Sequence, residues 1–154
     1  MPTTTAFRGG VSVTGVKPGD TSLVIHAATV SKTIPVTVYE NLFPKFTGAG
    51  LTQVGDASYA VEYTGTTWHS FGSAKLTLKA GDYSLEDSVG FNADSSIYFT
   101  LINNADSSVF LRTNDSGGNK RHMRATLKAG DYKLTFASMK AYSGTVTPIL
   151  RKLT

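Results

Sequence analysis

The sequence predicts an all-β chain built as two stacked layers of antiparallel strands, and three observations predict it. Apolar and polar residues alternate with period two through most segments, turn-forming Gly, Asn and Asp recur about every ten residues, and no stretch sustains the 3.6-residue periodicity of a helix. Composition agrees. Charged residues make up only 17% of the 154 positions, and the abundant Thr, Ser and Gly suit strands and turns better than helix faces, which favour Glu, Lys, Ala and Gln.

Taken in order, Val11-Ser12-Val13 is a short strand and Lys17-Pro18-Gly19-Asp20 a turn with proline preset at its second position. Leu23, Ile25 and Ala27 then alternate with Val24, His26 and Ala28, and Ile34, Val36 and Val38 alternate with Pro35, Thr37 and Tyr39. The stretch from Ala28 to Lys32 predicts the turn of a hairpin. At Glu40 the texture changes, which divides the chain into residues 1–40 and 41–154. Leu42-Phe43-Pro44-Lys45-Phe46 and Thr47-Gly48-Ala49-Gly50 form an irregular lead-in. About eight strands are expected beyond it: Ser58 to Tyr63, Trp68 to Leu78, Tyr83 to Phe91, Ser96 to Ile102, Ser108 to Thr113, His122 to Leu127, Tyr132 to Ser138 and Thr145 to Leu153. Asn103-Asn104-Ala105-Asp106 supplies a hairpin turn, and Asn114 to Asn119 a longer one.

Two internal echoes stand out. Thr77-Leu78-Lys79-Ala80-Gly81-Asp82-Tyr83-Ser84-Leu85 returns as Thr126-Leu127-Lys128-Ala129-Gly130-Asp131-Tyr132-Lys133-Leu134, and Ala93-Asp94-Ser95-Ser96 returns as Ala105-Asp106-Ser107-Ser108. The longer echo is strand, tight turn, strand. Leu78, Leu127, Tyr83, Leu85, Tyr132 and Leu134 are expected to point inward, with Gly81 and Gly130 at positive φ. The two copies are expected at equivalent corners of two facing sheets.

Bulk properties exclude several classes. With no cysteine, stability has to come from burial or from neighbouring subunits, whereas small secreted domains lean on disulfides. Met1 to Arg8 contains no apolar core of a signal peptide, and the longest apolar run, Leu23 to Ala28, is too short to cross a bilayer. A soluble protein made in a cytosol is expected, without a membrane partner. The formal charge of +4 is too small for a nucleic-acid binder, and no recognition motif accompanies it.

Two resemblances rest on these residues. Val11-Ser12-Val13-Thr14-Gly15-Val16-Lys17-Pro18-Gly19-Asp20-Thr21-Ser22-Leu23-Val24-Ile25, closing with Ile34-Pro35-Val36-Thr37-Val38, resembles the C-terminal half of a group-2 bacterial immunoglobulin-like domain; the first half has no counterpart. Asn41-Leu42-Phe43-Pro44-Lys45-Phe46, the twice-used Leu-Lys-Ala-Gly-Asp-Tyr corner and the closing Thr145-Val146-Thr147-Pro148-Ile149-Leu150 are similar to the jelly-roll, carbohydrate-binding-module-like domains of phage structural proteins. Together they imply a partial immunoglobulin-like anchoring segment over residues 1–40 followed by a jelly-roll sandwich over 41–154. They also imply a virion accessory protein, a capsid decoration or tail-surface component assembled in the host cytoplasm, present in many copies or as a homo-oligomer among other virion proteins. The alternative is a carbohydrate-binding module of a larger cell-wall-active enzyme.

Chemistry of the side chains points to binding and away from catalysis. The sequence has no Cys, no Gly-x-Ser-x-Gly and no His-Glu-x-x-His, and no cofactor is expected. His26, His69 and His122 stand far apart, so a metal site is not expected. The acids sit mostly in turns, where Asp caps local backbone. Glu86-Asp87 is an adjacent pair whose side chains a strand would point to opposite faces; Asp94, Asp106 and Asp115 are the turn carboxylates a calcium ion would use. Sugar binding has a better case, because an aromatic ring stacks on the C–H face of a pyranose while polar groups read its hydroxyls. Alternation sends Ile97, Phe99 and Leu101 inward and leaves Tyr98 outward; on the next strand Val109 and Leu111 point inward, and Phe110 and Arg112 outward. Tyr98, Phe110 and Arg112 are therefore the expected ligand patch, with Trp68 a further candidate, although a single tryptophan is ordinarily core. Burial of the patch against another subunit or the first domain is the reading preferred over sugar. The basic cluster Lys120-Arg121-His122-Met123-Arg124, with Arg151 and Lys152, suits an anionic cell-wall polymer or an acidic partner chain, but a solvated loop is the expected reading.

Overall fold

The computed structural model describes residues 17–27, 29–86, 96–113 and 122–153. It is all-β: twelve strands and no helix among the described residues, every pairing antiparallel. The chain divides into two compact units, the first ending at Tyr39 and the second beginning at Glu40. The strand expected at Val11 to Val13, the turn over Asn114 to Asn119, the end of the strand drawn to Phe91, and the candidate residues Asp87, Asp94, Asp115, Lys120 and Arg121 lie outside the described residues.

In the first unit β1 (Gly19–Ala27) pairs with β2 (Val30–Val38). The ladder runs to the Ala27↔Val30 pair, so the connection is shorter than the Ala28 to Lys32 turn expected. Ser31 and Lys32 are ladder residues, opposite His26 and Ile25. Register and alternation give the hairpin two unlike faces. Thr21, Leu23, Ile25, Val30, Lys32, Ile34, Val36 and Val38 share one; Asp20, Ser22, Val24, His26, Ser31, Thr33, Pro35 and Thr37 share the other. The second face is stitched by cross-strand hydrogen bonds, Thr37 Oγ1 to Asp20 Oδ1 and Ser31 Oγ with His26 Nδ1, each 2.7 Å. On the first face Ile25 is 42% and Val30 66% exposed, while Leu23, Val36 and Val38 are half-buried.

The second unit carries the other ten strands: β3 (Leu51–Gly55), β4 (Ser58–Tyr63), β5 (His69–Leu78), β6 (Gly81–Glu86), β7 (Ile97–Asn103), β8 (Phe110–Arg112), β9 (Arg124–Leu127), β10 (Gly130–Ser138), β11 (Tyr142–Val146) and β12 (Ile149–Lys152). They form sheets ordered β5-β10-β7-β8, β11-β4-β3 and β12-β6-β9 around one apolar core. Tyr59, Tyr83, Tyr132, Phe99, Phe136, Leu85, Leu101, Leu134 and Leu150 are among its fully buried members.

Two strands more than the expected eight are present in this unit, for different reasons. β3 is an edge strand whose only partly buried residue is Leu51, with Thr52, Gln53, Val54 and Gly55 exposed; without an inward apolar set there is no alternation to read. The strand expected from Thr145 to Leu153 is two strands in different sheets, β11 on β4 and β12 on β6. Pro148, which has no N–H to give a ladder, lies at the break. Asn41 braces that break: Nδ2 donates to Pro148 O at 2.9 Å, and Oδ1 accepts from Phe43 N and Leu150 N, each at 3.0 Å.

The twin motifs meet each other. Leu78 pairs with Gly130 where β5 meets β10, and Gly81 pairs with Leu127 where β6 meets β9. The two copies are thus not at separate corners of facing sheets. They are hydrogen-bonded partners at a single fold, where one antiparallel ladder passes from one sheet into the next. Each motif repeats the same bonds. Tyr83 Oη donates to Lys79 O at 2.9 Å and Tyr132 Oη to Lys128 O at 2.8 Å; Thr77 Oγ1 donates to Asp131 Oδ1 at 2.6 Å and Thr126 Oγ1 to Asp82 Oδ1 at 2.5 Å. Gly81 and Gly130 have φ of 153° and 154°, where a side chain is disfavoured. The repeat is a self-complementary clasp.

Candidate functional site

The β7–β8 hairpin brings Tyr98, Phe110 and Arg112 together, as alternation places them. The Arg112 guanidinium carbon lies 5.3 Å from the Tyr98 ring centroid and 5.8 Å from that of Phe110, within cation–π range. That arrangement changes what the patch offers. Tyr98 is buried, 9% exposed, where an outward ring was expected, and the cation occupies the aromatic face a sugar would stack on. Phe110 also meets the His122 ring at 5.5 Å, and Arg112 exchanges two backbone hydrogen bonds with His122. Beside them Thr100, 3% exposed, has no hydrogen-bond partner for its hydroxyl among the described residues.

Trp68 belongs to a different place. It is 54% exposed, against the ordinary burial of a lone tryptophan, and it stands on the connection between β4 and β5 and not on the β7–β8 hairpin. Its loop, the residues between β4 and β5, is fixed from both sides. Tyr63 Oη donates to Thr67 O at 2.8 Å. The Tyr63 and His69 rings stack at 4.8 Å with an interplanar angle of 14°, and His69 packs edge-on against Phe71 at 5.0 Å. Phe71 is a core residue, 4% exposed, so the stack ties the loop to the interior. Gly65 lies against the Tyr63 ring so closely that a β-carbon there would fall 2.2 Å from Tyr63 Oη. Sequence reasoning named Trp68 but missed this support; the signal was the glycine five residues after Ala60, between Tyr63 and His69, in a segment too short to be a free loop.

Six of the described carboxylates are committed to structure. Asp20, Asp82 and Asp131 accept from threonines across a ladder, Glu62 accepts from Ser143 Oγ at 2.7 Å, and Glu86 holds Arg151 at 2.9 Å. Asp106 accepts from both the amide and hydroxyl of Ser108. Those hydrogen bonds, with Lys128 at 3.7 Å, hold its carboxyl below the usual aspartate value. Burial pushes the Tyr83 phenol above its usual value, and Tyr132 adds to the effect. Arg151 is not part of a solvated cluster, since its Nε also donates to Ser84 Oγ at 3.1 Å. His26 bonds to Ser31, His69 to the tyrosine stack and His122 to the Arg112 bridge, and no group of metal-ligating side chains converges among the described residues.

Two shallow depressions flank the clasp. One, of about 320 Å³, is lined by Asn103, Asn104, Ala105, Ala129, Gly130 and Asp131; the other, of about 270 Å³, by Asp82, Tyr83, Arg124, Ala125, Thr126 and Leu153. In each, the aspartate already holds a threonine hydroxyl. Comparison with known protein families, with curated proteins and with solved structures finds no match.

Proposed function

We propose that this chain is a multicopy structural and binding component of a phage virion surface, a capsid decoration or tail appendage that contacts host-surface glycan. The first unit attaches it to a neighbouring virion chain and the second is displayed. It acts by binding, without catalysis. The likeness of residues 9–39 to part of a group-2 bacterial immunoglobulin-like domain, and of residues 41–154 to the jelly rolls of phage structural proteins, motivates the reading.

The observation that carries it is the hairpin of β1 and β2. A two-stranded ribbon is marginal in water unless its apolar face is covered, and here Leu23, Ile25, Val30, Ile34, Val36 and Val38 share one face. Strands of nine residues give a face of roughly 30 by 10 Å. Two such hairpins stacked face to face would bury far less than the roughly 1,200–2,000 Å² of a stable interface. A wider sheet on a neighbouring chain fits better, because it covers the face and can pair with the ribbon's edges. Repetition over a symmetric particle then turns a weak glycan contact into useful avidity.

Mass spectrometry of purified particles from cells carrying the gene tests this. The chain should be found in many copies, and Leu23→Asp/Ile34→Asp should be left behind while its second unit keeps the native circular dichroism. Particles without the chain, or with as much of the variant as of the wild type, would refute the reading. The exposed Trp68 favours a second reading, a carbohydrate-binding module of a larger cell-wall-active enzyme, which predicts a catalytic domain in the same gene product.

A further inference from the structure

We infer that the Trp68 loop, and not the Tyr98–Phe110–Arg112 patch, is the carbohydrate site of this protein, and that it takes neutral hexopyranose units. The inference deepens the glycan part of the proposed function and rests on it.

Three properties converge on the loop. The first is exposure: Trp68 presents 54% of its surface, whereas Tyr98 is buried beneath Arg112. A pyranose needs an open aromatic face, and Trp offers the largest one. The second is rigidity. The loop is closed by the Tyr63 hydroxyl on Thr67 O and by the Tyr63–His69 stack, which continues into the core through Phe71. A ring held on a pinned loop loses little conformational freedom when a sugar lands on it, so more of the contact energy survives as affinity. The third is chemistry. From Tyr63 to Phe71 the sequence is Tyr-Thr-Gly-Thr-Thr-Trp-His-Ser-Phe, with no Asp, Glu, Lys or Arg. Thr64, Thr66 and Thr67, in the same segment, are exposed, and threonine hydroxyls both donate to and accept from sugar hydroxyls. The nearest acid in the chain, Glu62, already accepts from Ser143. The segment supplies hydroxyls and no charge of its own, which suits an uncharged sugar better than a uronate, a sialylated glycan or a teichoic-acid phosphate. The exposed Lys140 lies in the turn between Ser138 and Tyr142, which pair with His69 and Tyr63, and Lys140→Ala should leave neutral-sugar binding unchanged.

Because Trp68 is the one tryptophan of the chain, its own emission reports the site. The experiment titrates the full-length protein with cellohexaose, chitohexaose and β-1,4-galactan fragments as neutral probes, and with polygalacturonate and polysialic acid as anionic ones. Affinities of the variants are taken from isothermal titration calorimetry. A neutral oligosaccharide should shift the Trp68 emission to the blue, and Trp68→Ala should abolish its binding. Trp68→Phe should retain part of it. Tyr63→Phe, which removes the pin on Thr67 O, should weaken it about three- to tenfold with unchanged circular dichroism. Tyr98→Ala, if it folds, and Arg112→Met should bind as the wild type does. Binding that survives Trp68→Ala, binding confined to the anionic probes, or no binding to any probe would overturn the inference. Absence of glycan binding in a protein that still enters particles would overturn the inference and the glycan part of the proposed function and leave the virion attachment standing; neutral-sugar binding by a chain that never enters particles would leave the inference standing and remove the virion reading.

Discussion

Phe136 is the residue on which the interior of the second unit is most tightly centred, and its truncation is the sharpest energetic test of the fold. It lies on β10 and is fully buried. Its ring meets Phe99 at 4.7 Å, Phe71 at 5.2 Å, and Phe46 and Tyr59 at 5.7 Å each. Phe71 and Phe99 come from flanking strands of the same sheet, whereas Tyr59 comes from β4 of another sheet and Phe46 from the lead-in. One side chain therefore touches both layers. Phe136→Ala removes a buried ring and its edge-to-face contacts and leaves a cavity, at a cost of about 3–5 kcal/mol. Set against a total stability of roughly 5–15 kcal/mol, that is a large part of the whole, and the Tm should fall by roughly 10 °C or more. Phe136→Leu keeps much of the volume and should cost roughly 1–2 kcal/mol. Val54→Ser, on the exposed edge strand β3, should stay within about 0.5 kcal/mol. Urea unfolding followed by far-ultraviolet circular dichroism measures all three, independently of the exposed Trp68. A loss below about 1 kcal/mol for Phe136→Ala would mean that the two layers do not meet at this ring.

Gly130→Ala has room for its methyl, which would sit 3.4 Å from Asn103 Nδ2, so its expected loss of about 1–3 kcal/mol in urea unfolding reflects backbone conformation. Asn41→Ala removes three hydrogen bonds at the β11–β12 break and should cost on the order of 1–2 kcal/mol, with faster amide exchange at Leu150. Burial favours neutral Tyr83 in the folded state, so its contribution is whole below the unfolded tyrosine value of about 10 and is lost as pH rises above it. Tyr83→Phe should accordingly flatten the alkaline decline in Tm, while costing stability at neutral pH through the lost bond to Lys79 O.

What the sequence made legible follows burial. Where one face of a strand is buried and the other wet, alternation is a faithful guide: on β10 Tyr132 and Leu134 are fully buried while Asp131 and Lys133 are exposed. The guide fails at the extremes. β3 buries too little to leave a pattern, and at Tyr98 both faces of the strand are covered, so phase alone could not tell a wet ring from one beneath a guanidinium. The twin motifs announced their turns and their positive-φ glycines, but not that they pair with each other, because the register between distant segments is set by the core. Trp68 is exposed against the habits of its residue type, and the Tyr63 hydroxyl bond to Thr67 and the Tyr63–His69 stack that flank it are contacts that a linear reading does not join.

The division of labour between an open ribbon and a self-sufficient sandwich is tested most directly by amide hydrogen exchange on the isolated protein, with light scattering to establish that it is monomeric in the same solution. Amides of β1 and β2 should exchange at rates close to those of an unstructured chain, because the ribbon is only two strands wide and Ile25 and Val30 are exposed, while β5, β7 and β10 exchange only through global unfolding. Equal, strong protection of β1–β2 and β10 in a monomer would contradict the account.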